Sequence, residues 1–320
     1  MICHRLSGDR SGLAFEPDWP DPPPPQAGEV TVAVAHAALN YPDLLMLSGG
    51  YQFAPTLPFI PGVEGSGTVI AIGSGVDPAL IGRPVIVGAR EGLLAEFATV
   101  PATTVRPVPA GLTRPAAAAF TVAALTAYVA LVRRGRIARG EHVLVAGAGG
   151  GTGLAAVALA TALGASVTAL VSSAAKADAA RVAGATDVRI AARGAVVDLT
   201  TVDLVFDPVG GDLTRPLLAA LRRRGRYLVI GFVGGIATVS ASEIAAREIE
   251  VIGVRAGEFA RRDPAGGIAN LAAIDAMAAR LVPHIGVRVT LDNAAAAFTA
   301  MADGALIGKA VIDCLSRTGG

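Results

Sequence analysis

The stretch His142-Val143-Leu144-Val145-Ala146-Gly147-Ala148-Gly149-Gly150-Gly151-Thr152-Gly153 decides the fold. Five residues that read as a buried strand run without a break into glycines, and residues 154–163 that follow are helical in composition. Strand, glycine turn and helix let the backbone turn tightly and approach a pyrophosphate, which the unpaired N–H groups and positive dipole end of the helix hold. The spacing of Gly147, Gly150 and Gly153 is G-x-x-G-x-x-G rather than the commoner G-x-G-x-x-G. A glycine cluster by itself also suits a turn needed only to pack a helix on a sheet. A second strand at 166–171 adds the βαβ context of a dinucleotide site, with Gly147, Gly150, Gly151, Thr152 and Gly153 as its phosphate contacts.

The end of that second strand discriminates between nucleotides. An acidic residue there accepts from the ribose 2′-hydroxyl of NAD, whereas a 2′-phosphate calls for hydroxyls and a cation. The text is Val171-Ser172-Ser173-Ala174-Ala175-Lys176, with no carboxylate before Asp178. It favours NADPH, with Ser172, Ser173 and Lys176 as contacts. The alternatives are that Ser172 and Ser173 cap the next helix and that Lys176 is an ordinary solvated lysine.

Further apolar strands at 202–206, 226–230 and 250–254 alternate with helical stretches, the pattern of a doubly wound parallel sheet in an α/β fold. Ligands of such sheets lie outside the carboxyl ends of the strands. Phe206-Asp207-Pro208-Val209-Gly210-Gly211 and Gly231-Phe232-Val233-Gly234-Gly235 are therefore expected to line the same crevice, tight turns being the alternative. Upstream, β-branched runs at 29–37, 68–72 and 84–88 are punctuated by Gly and Pro clusters, which makes a β-rich domain. Downstream come a helix at 263–281, a strand at 287–291, a helix N-capped by Asp292 and ended by Gly304, and a last strand at 310–315. The expected division is 1–113, a nucleotide-type domain at 114–256, and a return to the first domain at 257–320.

Composition narrows the function. The 27 Lys and Arg balance 26 Asp and Glu, so no nucleic-acid partner is implied. Two cysteines, Cys3 and Cys314, at opposite ends argue against a disulfide framework, a zinc knuckle or an iron–sulfur cluster, and suggest a reducing, cytoplasmic setting. Mean hydropathy is high, +0.56, yet the most apolar stretch, 116–132, falls short of the roughly 20 residues a membrane span needs. Residues 1–10 carry His4, Arg5, Asp9 and Arg10 and lack the apolar core of a secretory signal.

Asn40-Tyr41-Pro42-Asp43, Gly50-Tyr51, Pro58-Phe59-Ile60-Pro61-Gly62-Val63-Glu64-Gly65-Ser66-Gly67, the glycine loop, Asp207-Pro208-Val209-Gly210-Gly211, Gly231-Phe232 and Gly308-Lys309 occur in that order. This series resembles the medium-chain dehydrogenase/reductase superfamily, and within it the zinc-independent quinone oxidoreductase branch. The resemblance covers nearly the whole chain. It implies a GroES-like catalytic domain, a Rossmann-type cofactor domain, an active site in the cleft between them and a homodimer. It also implies cofactor contacts at Asp207, Val209, Gly231, Phe232, Val233 and Lys309.

Zinc-dependent relatives carry a cysteine where this chain has Asn40, a histidine beside the glutamate where it has Val63-Glu64, and a cysteine near Thr121 or Val122. Glu64 and Asp43 alone do not make a tetrahedral zinc site, so no metal is expected. Without a Lewis acid the accessible acceptors are already activated: a quinone, or a C=C conjugated with a carbonyl. By resemblance the donors to the developing oxyanion are the Asn40 amide and the Tyr51 hydroxyl, with Tyr41 as a further donor. The plainer readings are that Asn40 fixes a turn, Asp43 serves the start of a helix and Glu64 is a structural carboxylate. Hydride transfer to a quinone, saturation of an enone or enoyl thioester, and nucleotide binding with little turnover remain three alternatives.

Overall fold

The computed structural model describes residues 1–191, 199 and 201–315. Strands Ile2–Cys3 (β1), Leu13–Ala14 (β2) and Glu29–Ala38 (β3) lead to the helix Tyr41–Ser48 (α1). Strands Glu64–Ile72 (β4), Pro84–Gly88 (β5), Phe97–Pro101 (β6) and Val105–Pro107 (β7) follow, then Arg114–Ala118 (α2) and Thr121–Tyr128 (α3). The α/β alternation is His142–Val145 (β8), Gly151–Ala162 (α4), Ser166–Val171 (β9), Ala174–Val182 (α5), Asp187–Ile190 (β10), Val202–Asp207 (β11), Thr214–Ala220 (α6), Leu221–Val229 (β12), Ala241–Arg247 (α7) and Glu250–Gly253 (β13). Ala256–Arg262 (α8), Pro264–Ala276 (α9), Ile285–Thr290 (β14), Ala294–Ala302 (α10) and Lys309–Asp313 (β15) complete it.

By contacts the chain forms two units, Met1–Thr121 with Ile285–Gly320, and Val122–His284. In the first unit the sheet order is β14-β15-β3-β4-β5-β7, with β6 also paired to β3. All its pairs are antiparallel except β14 with β15. Its core is Val30, Val32, Val34, Met46, Leu47, Val85, Val87, Phe298 and Ile312 with their neighbours. Each large apolar side chain buried there contributes about 1.5–3 kcal/mol.

The second unit holds six parallel strands in the order β10-β9-β8-β11-β12-β13. The order reverses between β8 and β11, and that switch point is where such sheets open a crevice for ligands. Helices on both faces explain why β8, β9 and β11 are buried almost throughout rather than on alternate residues.

Several expectations need correction. The chain returns to the first unit at Ile285, not at 257. Residues 256–280 stay with the second unit because their side chains bond there: Arg133 Nε donates to Asn270 Oδ1 at 2.7 Å and Arg280 to Ala162 O at 3.0 Å. The single helix expected at 263–281 is α9 followed by a short 3-10 turn, Ala278–Arg280. The N-cap of α10 is Asn293 rather than Asp292, because a 3-10 turn, Leu291–Asn293, precedes the helix. Strand β12 starts five residues earlier than expected and takes in exposed Arg222, Arg223 and Arg224, whose polarity hid it. The Ala-rich stretch near 116–132 is broken into α2, α3 and a π-helical turn, Val129–Arg134. Among the described residues no helix is long and apolar enough to cross a membrane.

Candidate active site

In the second unit the glycine loop joins β8 to α4, with Gly150 at the N-cap. Gly147 has φ +58°, a left-handed backbone that suits glycine. A Cβ at Gly153 would lie 2.3 Å from Gly147 O and 2.8 Å from Ala148 Cα, so the helix start packs on the loop only without a side chain there. A Cβ at Gly149 would meet Lys176 carbons at 2.6 Å: the Lys176 side chain lies across the loop. Its Nζ donates to Ser172 Oγ at 3.1 Å, and burial lowers its pKa from the ordinary lysine value. Ser173 caps α5, its Oγ accepting from Lys176 N at 3.4 Å, so the capping alternative describes this serine. Arg181 is paired with Asp178 at 2.8 Å.

These residues fit the phosphates of a dinucleotide. The first-turn N–H groups of α4, at Gly151, Thr152 and Gly153, have no intrahelical acceptor, and a cation and two hydroxyls stand at the end of β9 where a carboxylate is absent.

Asp207, expected among the cofactor contacts, is instead turned inward and is only 1% exposed. Its Oδ1 accepts from Val209 N at 2.7 Å and Gly210 N at 2.9 Å, and its Oδ2 accepts from the Tyr227 hydroxyl. Burial, with the Asp207 charge second, pushes the Tyr227 phenol well above its usual range, so it stays a donor. The carboxylate thus folds the turn that carries Val209. Gly234 N donates to Val209 O at 2.7 Å, joining that turn to the loop after β12. Gly231 lies in that loop, and Phe232 and Val233 are half exposed there, at 52% and 47%.

In the first unit three neighbouring strands, β15-β3-β4, bring four polar side chains to one end of the sheet. Asn40, which follows β3, is 6% exposed, Asp43 0%, Glu64 1% and Lys309 4%. Lys309 Nζ donates to Leu39 O at 2.8 Å, Asn40 Oδ1 at 2.6 Å and Glu64 Oε1 at 2.8 Å. All three of its N–H bonds are used within the fold, which leaves the expected cofactor contact at Lys309 no donor. The amide orientation of Asn40 is fixed by chemistry, because an ammonium only donates and Oδ1 must face it. Its Nδ2 hydrogens then go to Glu64 Oε1 at 2.9 Å and Ala38 O at 3.2 Å. Both are consumed internally, so the Asn40 amide offers no hydrogen to an acceptor oxygen and corrects that expectation.

Asp43 sits in the first turn of α1, its Oδ2 accepting from Asn40 N at 2.8 Å and its Oδ1 from Gly62 N at 3.0 Å. Burial raises its pKa to about 7, against the pull of those two N–H groups and of Lys309. Tyr41 opens α1, and Tyr51 packs partly buried on the core of this unit. Among the described residues no hydrogen bond engages either hydroxyl, so both remain as donors. The buried Lys309–Glu64 pair escaped sequence reasoning; its only signals were the motif Gly308-Lys309 and a glutamate opening a β-branched run. No cluster of three or more metal-ligating side chains occurs among the described residues.

Two family models match the chain: the alcohol dehydrogenase GroES-like domain over residues 26–110 and zinc-binding dehydrogenase over 151–273. Quinone oxidoreductase-like protein 2 of Rattus norvegicus is 32% identical over 271 residues, 82% of this chain and 76% of the relative. Prostaglandin reductase-3 of Bos taurus is 33% identical over 245 residues, 74% of this chain and 64% of the relative. The quinone oxidoreductase of Thermus thermophilus, solved also in complex with NADPH, matches with TM-score 0.82 and 31% identity over 98% of each chain. The ordered motifs, the two-unit α/β architecture and these likenesses agree: the chain belongs to the quinone oxidoreductase-like branch of the medium-chain dehydrogenase/reductase superfamily.

Proposed function

We propose that this chain is an NADPH-dependent oxidoreductase that reduces a quinone or a similarly activated carbonyl acceptor without zinc. The observation that carries the reading is Lys176 lying across the glycine loop with its ammonium on Ser172, at the strand end where NAD-specific sites place a carboxylate. Gly147, Gly150, Gly151, Thr152 and Gly153 would hold the pyrophosphate, and Ser172 and Lys176 the 2′-phosphate. Val209, Gly231, Phe232 and Val233 border the same strand ends. Bound NADPH supplies a hydride equivalent.

The protein's share is charge management. Two-electron reduction of a quinone leaves negative charge on the distal oxygen, and the hydroxyls of Tyr51 and Tyr41 donate hydrogen bonds to it. A proton from such a hydroxyl or from water completes the hydroquinone. The zinc-free reading is supported by donor chemistry: Asn40 stands where zinc-dependent relatives carry a cysteine, and the carboxylate next to the position of their histidine, Glu64, is taken up by Lys309 and Asn40. A homodimer acting in the cytoplasm completes the proposal.

The prostaglandin reductase-3 relative favours a second reading, reduction of a C=C conjugated with a carbonyl. Purified protein given NADPH or NADH with 1,4-benzoquinone and, separately, with an enone separates the two. Oxidation of NADPH with benzoquinone alone supports the first reading and with the enone alone the second. Tight NADPH binding with no rate on either acceptor indicates a binding protein.

A further inference from the structure

The oxygen cage around Lys309 resembles a coordination site whose resident cation is the protein's own ammonium. Three oxygens from three residues, Leu39 O, Asn40 Oδ1 and Glu64 Oε1, surround one nitrogen at 2.6–2.8 Å. A cation there neutralises Glu64, which is 1% exposed and would otherwise be a carboxylate buried beside Asp43. It also orients the Asn40 amide, and Asn40 is the N-cap of α1, whose first residue is Tyr41.

We infer that Lys309 is a positioning residue for the acceptor side of the reaction: its ammonium locks Asn40 and Glu64 together and thereby fixes the start of α1 that carries Tyr41. The inference rests on the reading of Tyr41 and Tyr51 as donors to the acceptor. Lys309 touches neither nucleotide nor acceptor in this role, because its three hydrogens are already used. It acts through Asn40. The residue sits on the strand that returns from the far end of the sequence, 269 residues beyond Asn40, so acceptor chemistry depends on that strand docking in register.

Two variants test this. Lys309→Ala leaves an oxygen-lined gap, and its activity is measured in ammonium chloride against sodium chloride. The double variant Lys309→Met with Glu64→Gln removes both buried charges together, which commonly preserves folding where a single truncation does not. For each, kcat and KM are measured with NADPH and benzoquinone, NADPH dissociation constants by calorimetry, and amide exchange over residues 40–48 by mass spectrometry. The expected result is a fall in kcat of roughly 10- to 100-fold, as misplacement of a donor group produces. NADPH binding should stay within about twofold, exchange should quicken at 40–48 beyond the rest of the first unit, and ammonium should partly restore the Ala variant.

A loss of NADPH affinity in step with kcat would make Lys309 a cofactor contact and overturn the inference. So would unchanged kcat and exchange in the double variant, or a kcat loss that merely follows global stability with no gain from ammonium. Failure of the wild-type protein to reduce either acceptor would strike the functional reading alone, and exchange at 40–48 would still decide whether Lys309 holds the start of α1.

Discussion

Gly147 and Gly153 in the second unit are six positions apart, and the loop they shape is made of backbone. Asn40 and Lys309 in the first unit are 269 residues apart, and the cluster they form is made of side chains. Both lie at the ends of strands. The loop is a local device: its geometry follows from which residues lack a Cβ, and its ligand chemistry from N–H groups every helix start possesses. The polar cluster exists only once β15 has paired with β3, and its stability depends on every buried donor finding an acceptor. A local motif tolerates change elsewhere in the fold, whereas a cluster drawn from distant segments reports on the whole sheet.

Four substitutions sharpen or break this contrast. The largest effect is expected at Asp207, a side chain on which the otherwise backbone-built second unit leans. Asp207→Ala leaves Val209 N and Gly210 N without their acceptor and the Tyr227 hydroxyl with only Thr214 Oγ1, at 3.2 Å, and should lower stability by roughly 3–5 kcal/mol in urea unfolding. A change below about 1 kcal/mol would show that the turn holds itself.

Next is Tyr51→Phe, which should reduce kcat with benzoquinone by about 100-fold, or about 2.7 kcal/mol, while unfolding free energy moves by less than about 0.5 kcal/mol. Equal activity would remove Tyr51 from the chemistry.

Asp43→Asn comes third, at about 2 kcal/mol near neutral pH, because an amide nitrogen cannot accept from the N–H it would face. The wild-type pH profile gives the companion measurement. The carboxyl titrates at 3.8 when unfolded and at about 7 in the fold, so the folded state holds its proton more tightly. Its contribution to stability is complete below the unfolded value and is lost as pH rises through about 7. Lys309 and Glu64 are the charged groups that modulate it. Unfolding free energies across that window should slope downward in the wild type, and the slope should flatten in Asp43→Asn.

The smallest effect is at the nucleotide. Lys176→Ala should weaken NADPH by about tenfold in calorimetry and leave NADH nearly unchanged, as expected for loss of one cation from a phosphate site. Equal losses for the two nucleotides would move the 2′-phosphate elsewhere.

Five strands of the parallel sheet were legible because they are short, continuous and apolar and their helices are rich in Ala, whereas the edge strand β10, Asp187–Ile190, was not read because Asp187 and Arg189 interrupt its apolar residues. Strand β12 was read short at its start because Arg222–Arg224 are exposed and polar and lie in a register irregularity, the pairing with β11 passing from Leu221 directly to Arg226. The phosphate loop and the Ser172–Lys176 pair were visible as text. The roles of Asn40, Asp207 and Lys309 were not, since nothing in a linear sequence tells which partner uses up a donor.

The amino-acid sequence by itself determined the order of elements, the dinucleotide loop and the absence of the usual zinc ligands, because these follow from residue type and spacing along one short segment. Tertiary structure alone decided which polar groups are spent inside and which remain to meet a ligand. A hydrogen bond is saturable and directional, so whether Asn40 donates to an acceptor or to Glu64 depends on which distant strands lie beside it once the sheet has closed.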